Sequence, residues 1–326
     1  MCGLRYALSA LLVCLTCLGP TSALAADPYP AKPIRLLVGF PPGTATDTVA
    51  RLVAEQLKNK NGWTIIVENK VGQAGSIAAT DVARAAPDGY TLLLSANGPL
   101  STNPNLYSTI RYDAAKDFTA ISRVAVLPYV MVVRTESPYR SVQDVVQAAK
   151  AEPEKLDYAS LGYGTTSHLI AASFAKETDT RYLHIPYKGS AETVVALLSG
   201  AVDFMFDTTL ATEPQIKAGK MRALAVSTNA RVPVLANAPT LNEAGASGFD
   251  MAAWLGVVGP AGMPADVVKT LNAAVHDAVN SKALTERLGN LGAIVSLSTP
   301  DEFQGFLVSE LGKWGDAIKQ AGVPKQ

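Results

Sequence analysis

Residues suited to holding a small anion occur in five loops of this sequence. The loops span residues 40–47, 95–98, 160–168, 186–190 and 207–209, and all are rich in Gly, Ser, Thr, Asn or Asp. Glycine lets a backbone amide approach a ligand closely, and hydroxyl and amide side chains donate hydrogen bonds without adding a full charge. Any one loop could be an ordinary turn, since turns use the same residues. The prediction of a site therefore depends on the five loops occurring together.

Each of these loops follows a segment with strand character. The predicted strands are residues 34–38, 64–68, 91–94, 129–133, 157–159, 184–185, 204–206 and 222–226. Amphipathic segments alternate with them, which predicts an α/β fold of mainly parallel strands covered by helices. Ligands of such sheets bind beyond the carboxyl ends of the strands, where helix N-termini present free amides. We therefore expect the loops to line one binding site.

Several helix starts are indicated by capping patterns. Ser141 and Asp144 have capping-box spacing, Ser190 is a predicted N-cap for residues 191–198, and a helix is expected to begin near residues 46–47. Thr299, Pro300 and Glu302 combine an N-cap, a first-turn proline and a first-turn acid. The apolar segment 252–258 is followed only by predicted helices, at 264–281, 283–291 and 301–320.

The distribution of strands predicts two lobes joined by a hinge. Helices without strands of their own must pack on a sheet built earlier in the chain, so the chain should leave the first domain near residues 121–126 and return near 252. We expect a first domain of residues 27–125 plus 252–326 and a second of residues 126–251.

The first 26 residues have the pattern of a secretory signal peptide. An apolar stretch at 8–18 precedes small residues, which predicts cleavage near Ala25 or Ala26 and export to the periplasm. The apolar stretch is too short to span a bilayer. The chain has three cysteines and all lie in this leader, so we expect no disulfide in the mature protein: Cys2, Cys14 and Cys17. A lipidated Cys14 or Cys17 is less favoured, because no small residue precedes either.

Charge and motif content exclude several functions. The leader carries only Arg5 of the 28 Lys and Arg residues, and 28 Asp and Glu residues oppose them, so the mature chain is nearly neutral and lacks the basic runs of a nucleic-acid-binding protein. The three histidines, His168, His184 and His276, have no metal-binding spacing, and residues 162–167 do not complete a dinucleotide fingerprint. We expect no metal, cofactor or catalytic residues. The alternative is a secreted hydrolase with Ser160 or Ser167 as nucleophile and His168 as base.

Short motifs occur in order along nearly the whole mature chain. They are Tyr29-Pro30, Phe40-Pro41-Pro42-Gly43, Val67-Glu68-Asn69-Lys70, and the stretches at 86–93, 157–160, 164–168, 186–189 and 220–226. Together they resemble the Bug family, the periplasmic solute-binding proteins of the tripartite tricarboxylate transporter class.

The resemblance implies a two-lobed Venus-flytrap receptor, similar to type II periplasmic binding proteins. It would capture a small organic carboxylate, either a di- or tricarboxylate or an aromatic acid, between its lobes and deliver it to an integral membrane permease. The receptor is expected to be a monomer. Carried over by position, the ligand-binding residues would be Phe40, Gly43, Thr44, Ala45, Thr46, Asp47, Ser95, Asn97, Leu161, Gly162, Tyr163, Gly164, Thr165, Thr166, Ser167, His168 and Asp207.

Two positions depart from the family pattern. Thr44 stands where members commonly have a second glycine, and Tyr163 stands at an often small or polar position, where its ring is expected to floor the pocket. Both bear on which carboxylate is bound. A receptor that feeds a signalling partner instead of a permease would use the same clamshell.

Overall fold

The computed structural model describes residues 29–290 and 292–326, and all helices and strands lie within Lys32–Gln326. The predicted leader at 1–26 lies outside the described residues. The strands are β1 Ile34–Val38, β2 Ile65–Asn69, β3 Thr91–Ala96, β4 Phe118–Leu127, β5 Tyr129–Arg134, β6 Asp157–Ser160, β7 Leu183–Pro186, β8 Phe204–Thr208, β9 Met221–Val226, β10 Ala253–Pro260 and β11 Ile294–Val295.

Helices follow most of the strands. They are α1 Ala45–Asn61, α2 Ser76–Ala83, α3 Asn103–Leu106, α4 Val142–Ala151, α5 Thr166–Glu177, α6 Ser190–Ser199, α7 Thr209–Lys217, α8 Ala265–Val279, α9 Lys282–Asn290 and α10 Pro300–Gln320. A π-helical turn, Gly98–Thr102, precedes α3. The predicted α/β class is confirmed, but the expectation of mainly parallel strands is wrong, because β10 pairs antiparallel with β3 and β4, β11 with β4, and β5 with β8 and β9.

The strands form two sheets, each with helices packed on it. The first sheet has the order β11-β4-β10-β3-β1-β2, with β1 parallel to β2 and β3. The second has the order β7-β6-β8-β5-β9, with β6 parallel to β7 and β8 and with β5 antiparallel to β8 and β9. The first sheet with its helices is called the first lobe below, and the second the second lobe.

Each lobe has its own apolar core. The first is built from sheet residues such as Leu37, Leu93 and Trp254 and from Phe303 of α10, all buried. The second contains Val130, Met205 and Leu197, with Val226 at the end of β9. In the described part of the chain, no helix is both long and apolar enough to cross a membrane.

Local capping explains where many helices begin. The predicted capping box of Ser141 and Asp144 is present at α4, and the predicted N-cap Thr299 of α10 also forms a capping box, with Glu302. The predicted cap at Ser190 is wrong: Gly189 is the N-cap of α6 and Ser190 is its first residue. The predicted helix at 283–291 is α9, although residue 291 lies outside the described residues.

The strands β4, β10 and β11 were not predicted as strands. Residues 121–126, expected to leave the first lobe, lie within β4, and the expected crossing segment at 252–258 lies mostly in β10. These two long strands pair antiparallel in the first sheet. The expectation that only helices follow residue 258 is also wrong, because β11 pairs with β4.

Candidate functional site

The two loops expected to grip a ligand follow β1 and β6. At each of these strands the order in which the chain adds strands to the sheet reverses. In the first sheet β1 lies between β2 and β3, and in the second β6 lies between β7 and β8. The connections that leave such a strand and its neighbour run to opposite sides of the sheet, which opens a crevice beyond the carboxyl ends of the two strands. Residues 40–47 follow β1 and residues 161–168 follow β6. Each predicted loop therefore lies at the switch point of its sheet.

The loop after β1 is folded back on itself. The Gly43 N–H donates to Asp47 Oδ2 at 2.9 Å, and the Asp47 N–H donates to Thr44 Oγ1 at 3.4 Å. Thr44 is the N-cap, so α1 begins at Ala45, slightly earlier than predicted. Gly43 has φ +84°, a left-handed conformation that glycine adopts without steric cost. Asp47 turns back onto the loop to accept this amide, and its carboxylate is buried.

The start of α1 keeps free hydrogen-bond donors. Within residues 29–290 and 292–326, the amides of Ala45 and Thr46 have no hydrogen-bond partner, while those of Thr44, Asp47 and Thr48 do. The N-terminal amides of a helix lack intrahelical partners and carry the positive end of its dipole. Two adjacent donors therefore remain at this end of the first lobe.

The loop after β6 is held by side chains from its own ends. Ser167 Oγ accepts from the Leu161 N–H at 2.9 Å, and His168 Nδ1 accepts from the Gly164 N–H at 3.0 Å. Thr165 Oγ1 donates to the Gly162 carbonyl at 2.7 Å. In the described chain, the amides of the first α5 residues, Thr166, Ser167 and His168, have no partner. The second lobe thus presents the same kind of donor set as the first.

Two histidines stack directly behind this loop. The rings of His168 and His184 lie 4.0 Å apart between centroids at an interplanar angle of 7°, and Tyr158 stacks on His184. Burial, joined for His168 by the smaller effect of the neighbouring His184, lowers the pKa of each histidine to about 4. Both rings are therefore neutral at neutral pH, so His168 Nδ1 can accept the Gly164 amide.

The serine–histidine pairs of the hydrolase alternative are not formed. His168 accepts a backbone amide, and Ser167 Oγ is held by Leu161 and Thr165. Ser160 Oγ lies 2.5 Å from His184 Nε2, but Ser160 is fully buried. His184 Nδ1 is buried and has no hydrogen-bond partner among the residues that the structure describes.

The other predicted site residues differ in what they face. Asn97, directly after β3, donates to Thr166 Oγ1 at 3.3 Å and so reaches from the first lobe to the start of α5. Ser95 Oγ is buried and donates to the neighbouring carbonyl of Ala96. Asp207 is fully buried and accepts from Ser190, Thr193 and its neighbour Thr208. Burial raises the pKa of Asp207. Ligand contacts of Ser95 and Asp207 stay predictions.

The two aromatic site residues lie at different depths. Phe40 is half-buried, and its ring packs beside Gly75 and Pro99. Tyr163 is 61% exposed, stands edge-on to His168 and His184, and lines a groove of about 570 Å³ with Tyr158, Tyr182 and residues 320–324. A role for Tyr163 as a pocket floor stays a prediction.

Sequence reasoning missed the residues that support the first loop. Asn69, at the end of β2, donates to the Phe40 carbonyl at 2.9 Å and to Asp47 Oδ1 at 2.8 Å. Arg51, one turn into α1, donates to Asp47 and to Asn69. A signal was present, because Asn69 belongs to the quoted motif Val67-Glu68-Asn69-Lys70. The described residues hold no group of three or more His, Cys, Asp or Glu placed to bind a metal ion.

Comparisons with known proteins agree with this architecture. A family model described as "Tripartite tricarboxylate transporter family receptor" matches residues 49–323. Protein BugT of Bordetella pertussis is 33% identical over 306 residues, covering 94% of each chain. The solved structure of Rhodopseudomonas palustris Rpa4515 with adipate has a TM-score of 0.76 and 35% identity, over 90% of this chain and 98% of that one.

A second solved structure, MatC from Rhodopseudomonas palustris with bound malate, has a TM-score of 0.73 and 31% identity, over 89% of this chain and 100% of that one. The two sheets with flanking helices therefore form the two-lobed Venus-flytrap architecture of periplasmic binding proteins.

Proposed function

Because the chain belongs to the Bug-type family of tripartite tricarboxylate transporter receptors, we propose that it captures a small organic carboxylate between its lobes and delivers it to an integral membrane permease. The family is one of periplasmic receptors, so the mature protein would act in the periplasm after loss of its leader. It would bind its ligand unchanged, as a receptor and not as an enzyme.

One observation carries this proposal. In each lobe a helix begins at the switch-point loop, and the first amides of that helix have no hydrogen-bond partner among the described residues. Ala45 and Thr46 supply them in the first lobe and Thr166 and Ser167 in the second, as far as the described residues go. Helix N-termini bind anions through free N–H groups and the helix dipole. Two such ends suit a ligand with two anionic or polar ends.

The proposed ligand class is a dicarboxylate. Two structural relatives hold adipate and malate, which are both dicarboxylates. Neither gripping loop contains Lys or Arg, so neutral donors would hold the carboxylates. The proposed contact set is that of the sequence analysis, residues 40, 43–47, 95, 97, 161–168 and 207, with Ala45, Thr46 and Thr166 as the direct donors.

The proposed lobes are residues 27–125 plus 252–326 and residues 126–251. Strand membership supports this division, although β4 continues to Leu127 and β5 begins at Tyr129. The chain would therefore pass between the lobes at Pro128, two residues beyond the expected boundary.

A thermal-shift screen of purified protein tests the proposal, with calorimetry on each hit. The panel comprises dicarboxylates, tricarboxylates and aromatic acids, with the matching amides as uncharged controls. An acid at a hundred times its dissociation constant should add about 2.7 kcal/mol to the free energy of unfolding. A panel in which no acid stabilises the protein more than its amide would contradict carboxylate capture.

A further inference from the structure

Three polar side chains form a closed network behind the loop at residues 40–47. Arg51 Nε lies 3.1 Å from both carboxylate oxygens of Asp47, and Asn69 Nδ2 lies 2.8 Å from Asp47 Oδ1. Arg51 Nη2 donates to Asn69 Oδ1 at 3.0 Å, which closes the ring. Each member therefore bonds to both of the others.

This network ties down two separate points of the loop. Asn69 Nδ2 also donates to the Phe40 carbonyl at 2.9 Å, and Asp47 Oδ2 accepts the Gly43 amide. Asn69 can reach both because β2 pairs with β1, which places Asn69 opposite Val38 at the end of the sheet. The loop between these points leads directly to the free amides of α1.

The network also decides the charge at this helix start. Asp47 is a buried carboxylate in the first turn of a helix whose free amides are proposed to bind an anion. Burial acts to raise the pKa of Asp47, but hydrogen bonds from Arg51, Gly43 and Asn69 hold that pKa below its ordinary value. Arg51 is the charged residue that lowers the pKa of Asp47. The nearby charges of Glu68 and Lys70 are paired with other residues, Arg35 and Asp81.

We propose that Arg51 and Asn69 are positioning residues for carboxylate capture: Arg51 neutralises Asp47, and both side chains keep Asp47 turned away from the ligand so that the Ala45 and Thr46 amides remain free. This inference rests on the proposed function, because it assigns the support of the same site. Neither residue belongs to the proposed ligand-contacting set.

The variant Arg51→Gln tests the charge argument, with adipate as the probe and calorimetry at pH 7.5 and 5.5. Loss of this neutralising cation should weaken adipate binding by at least about tenfold at pH 7.5. Asp47 would then take up a proton when the anion binds, so the affinity should recover at pH 5.5. Calorimetry in two buffers of different ionisation enthalpy detects that proton. The double variant Asp47→Asn with Arg51→Gln should regain most of the lost affinity.

The matched control is Arg35→Gln, which breaks an equally well-formed pair with Glu68, at 2.8 Å for both bonds, between the neighbouring strands β1 and β2. Adipate affinity and its pH dependence should equal those of the wild type. Wild-type affinity in Arg51→Gln would overturn the proposal. A loss without proton uptake and without rescue by Asp47→Asn would also overturn it, because Arg51 would then contact the ligand directly.

Hydrogen exchange of the ligand-free protein gives a readout that does not depend on the ligand. Amides of residues 40–47 should exchange faster in Arg51→Gln and in Asn69→Leu than in the wild type or Arg35→Gln. Unchanged exchange in both variants would overturn the positioning role. If the wild type binds none of the acids tested, the proposed function fails, and the exchange data alone decide the role of the network.

Discussion

Gly43 meets two requirements at one position. Its φ of +84° lies in the left-handed region, and its amide is the donor that fixes Asp47. A β-carbon placed there would meet no protein atom within 4 Å, so the space beside it is open. A side chain at residue 43 would therefore enter the proposed approach path of the ligand without disturbing the packing.

We predict that Gly43→Val abolishes carboxylate binding in a folded protein. The left-handed backbone should cost about 1–2 kcal/mol of unfolding free energy. Gly62→Val is the matched control, because Gly62 caps the far end of α1 with φ +71° and also has no protein atom within 4 Å of the added carbon. Denaturation should show similar losses for both variants, and calorimetry a binding defect only for Gly43→Val. Wild-type affinity in Gly43→Val would place the site elsewhere.

The histidine behind the second loop makes stability depend on pH. The pKa of His168 is lowered to about 4 in the folded protein, against an ordinary value of about 6.5. Between these values the unfolded chain binds more protons, so the contribution of His168 is lost as pH falls from 6.5 through 4. The loss should be on the order of 1–3 kcal/mol.

Chemical denaturation of the wild type and His168→Gln at pH 7, 5.5 and 4.5 checks this prediction. Carboxylates titrate in the same range in both proteins, so the difference between the two isolates the histidine. The stability of His168→Gln should fall less steeply with decreasing pH. Parallel curves for the two proteins would contradict the assignment.

Among the helices and strands, those whose boundaries depend on residues close in the chain could be predicted from the sequence. The capping box of α4 and the N-cap of α10 act within four residues of chain, and both were found. The strands β4 and β10 were missed because their pairing has register shifts, and all eight residues of β10 are buried. Neither strand therefore shows the alternation of polar and apolar residues that identifies a strand.

The same distinction explains what could be predicted of the site. The loops after β1 and β6 were identified because turn residues follow apolar runs directly. The bond between Asp47 and Asn69 joins residues 22 positions apart, and it depends on the register of β2 against β1. That register comes from the folded sheet, so the partner of Asp47 could not be found from spacing alone.

Two helix caps should respond differently to removal. Ser141→Ala deletes the cap of α4, far from the proposed site in sequence, and should cost about 1 kcal/mol of unfolding free energy with no change in binding. Asp47→Ala should cost a similar or larger amount and also weaken carboxylate binding, because Gly43, Arg51 and Asn69 lose a shared partner. Denaturation and calorimetry on both variants make the comparison. Equal binding by the two would argue against the loop as a grip.

The two lobes are connected by two segments of the chain that run side by side, and these segments are called crossings here. The chain passes from β4 to β5 at Pro128 and returns between β9 and β10. The Ser227 N–H donates to the Tyr129 carbonyl at 2.9 Å, and the Met251 N–H donates to the Ser227 carbonyl at 3.0 Å. Helix α10 of the first lobe also packs against α5 of the second. These two neighbouring crossings are therefore the predicted hinge.

We predict that ligand binding closes the lobes about these crossings, because the free amides at the starts of α1 and α5 belong to different lobes and both are needed for a full grip. Small-angle scattering should give a smaller radius of gyration with a bound acid than without it. The matching amide at the same concentration is the control. An unchanged radius in a sample with confirmed binding would contradict closure.

The buried Glu310 of α10 bonds to two tryptophans, which has a consequence for the fluorescence of the protein. One of its oxygens accepts the indole N–H of both Trp254 and Trp314, at 2.9 and 2.7 Å. Lys313 pairs with Glu310 and also donates to the Asp250 carbonyl in the returning crossing. Two of the three tryptophans thus share the carboxylate of Glu310, and the crossing chain contacts Lys313, which pairs with that carboxylate. If the predicted closure moves that chain, the electric field at both indoles will change, so we expect the intrinsic fluorescence of the protein to report closure without an added label.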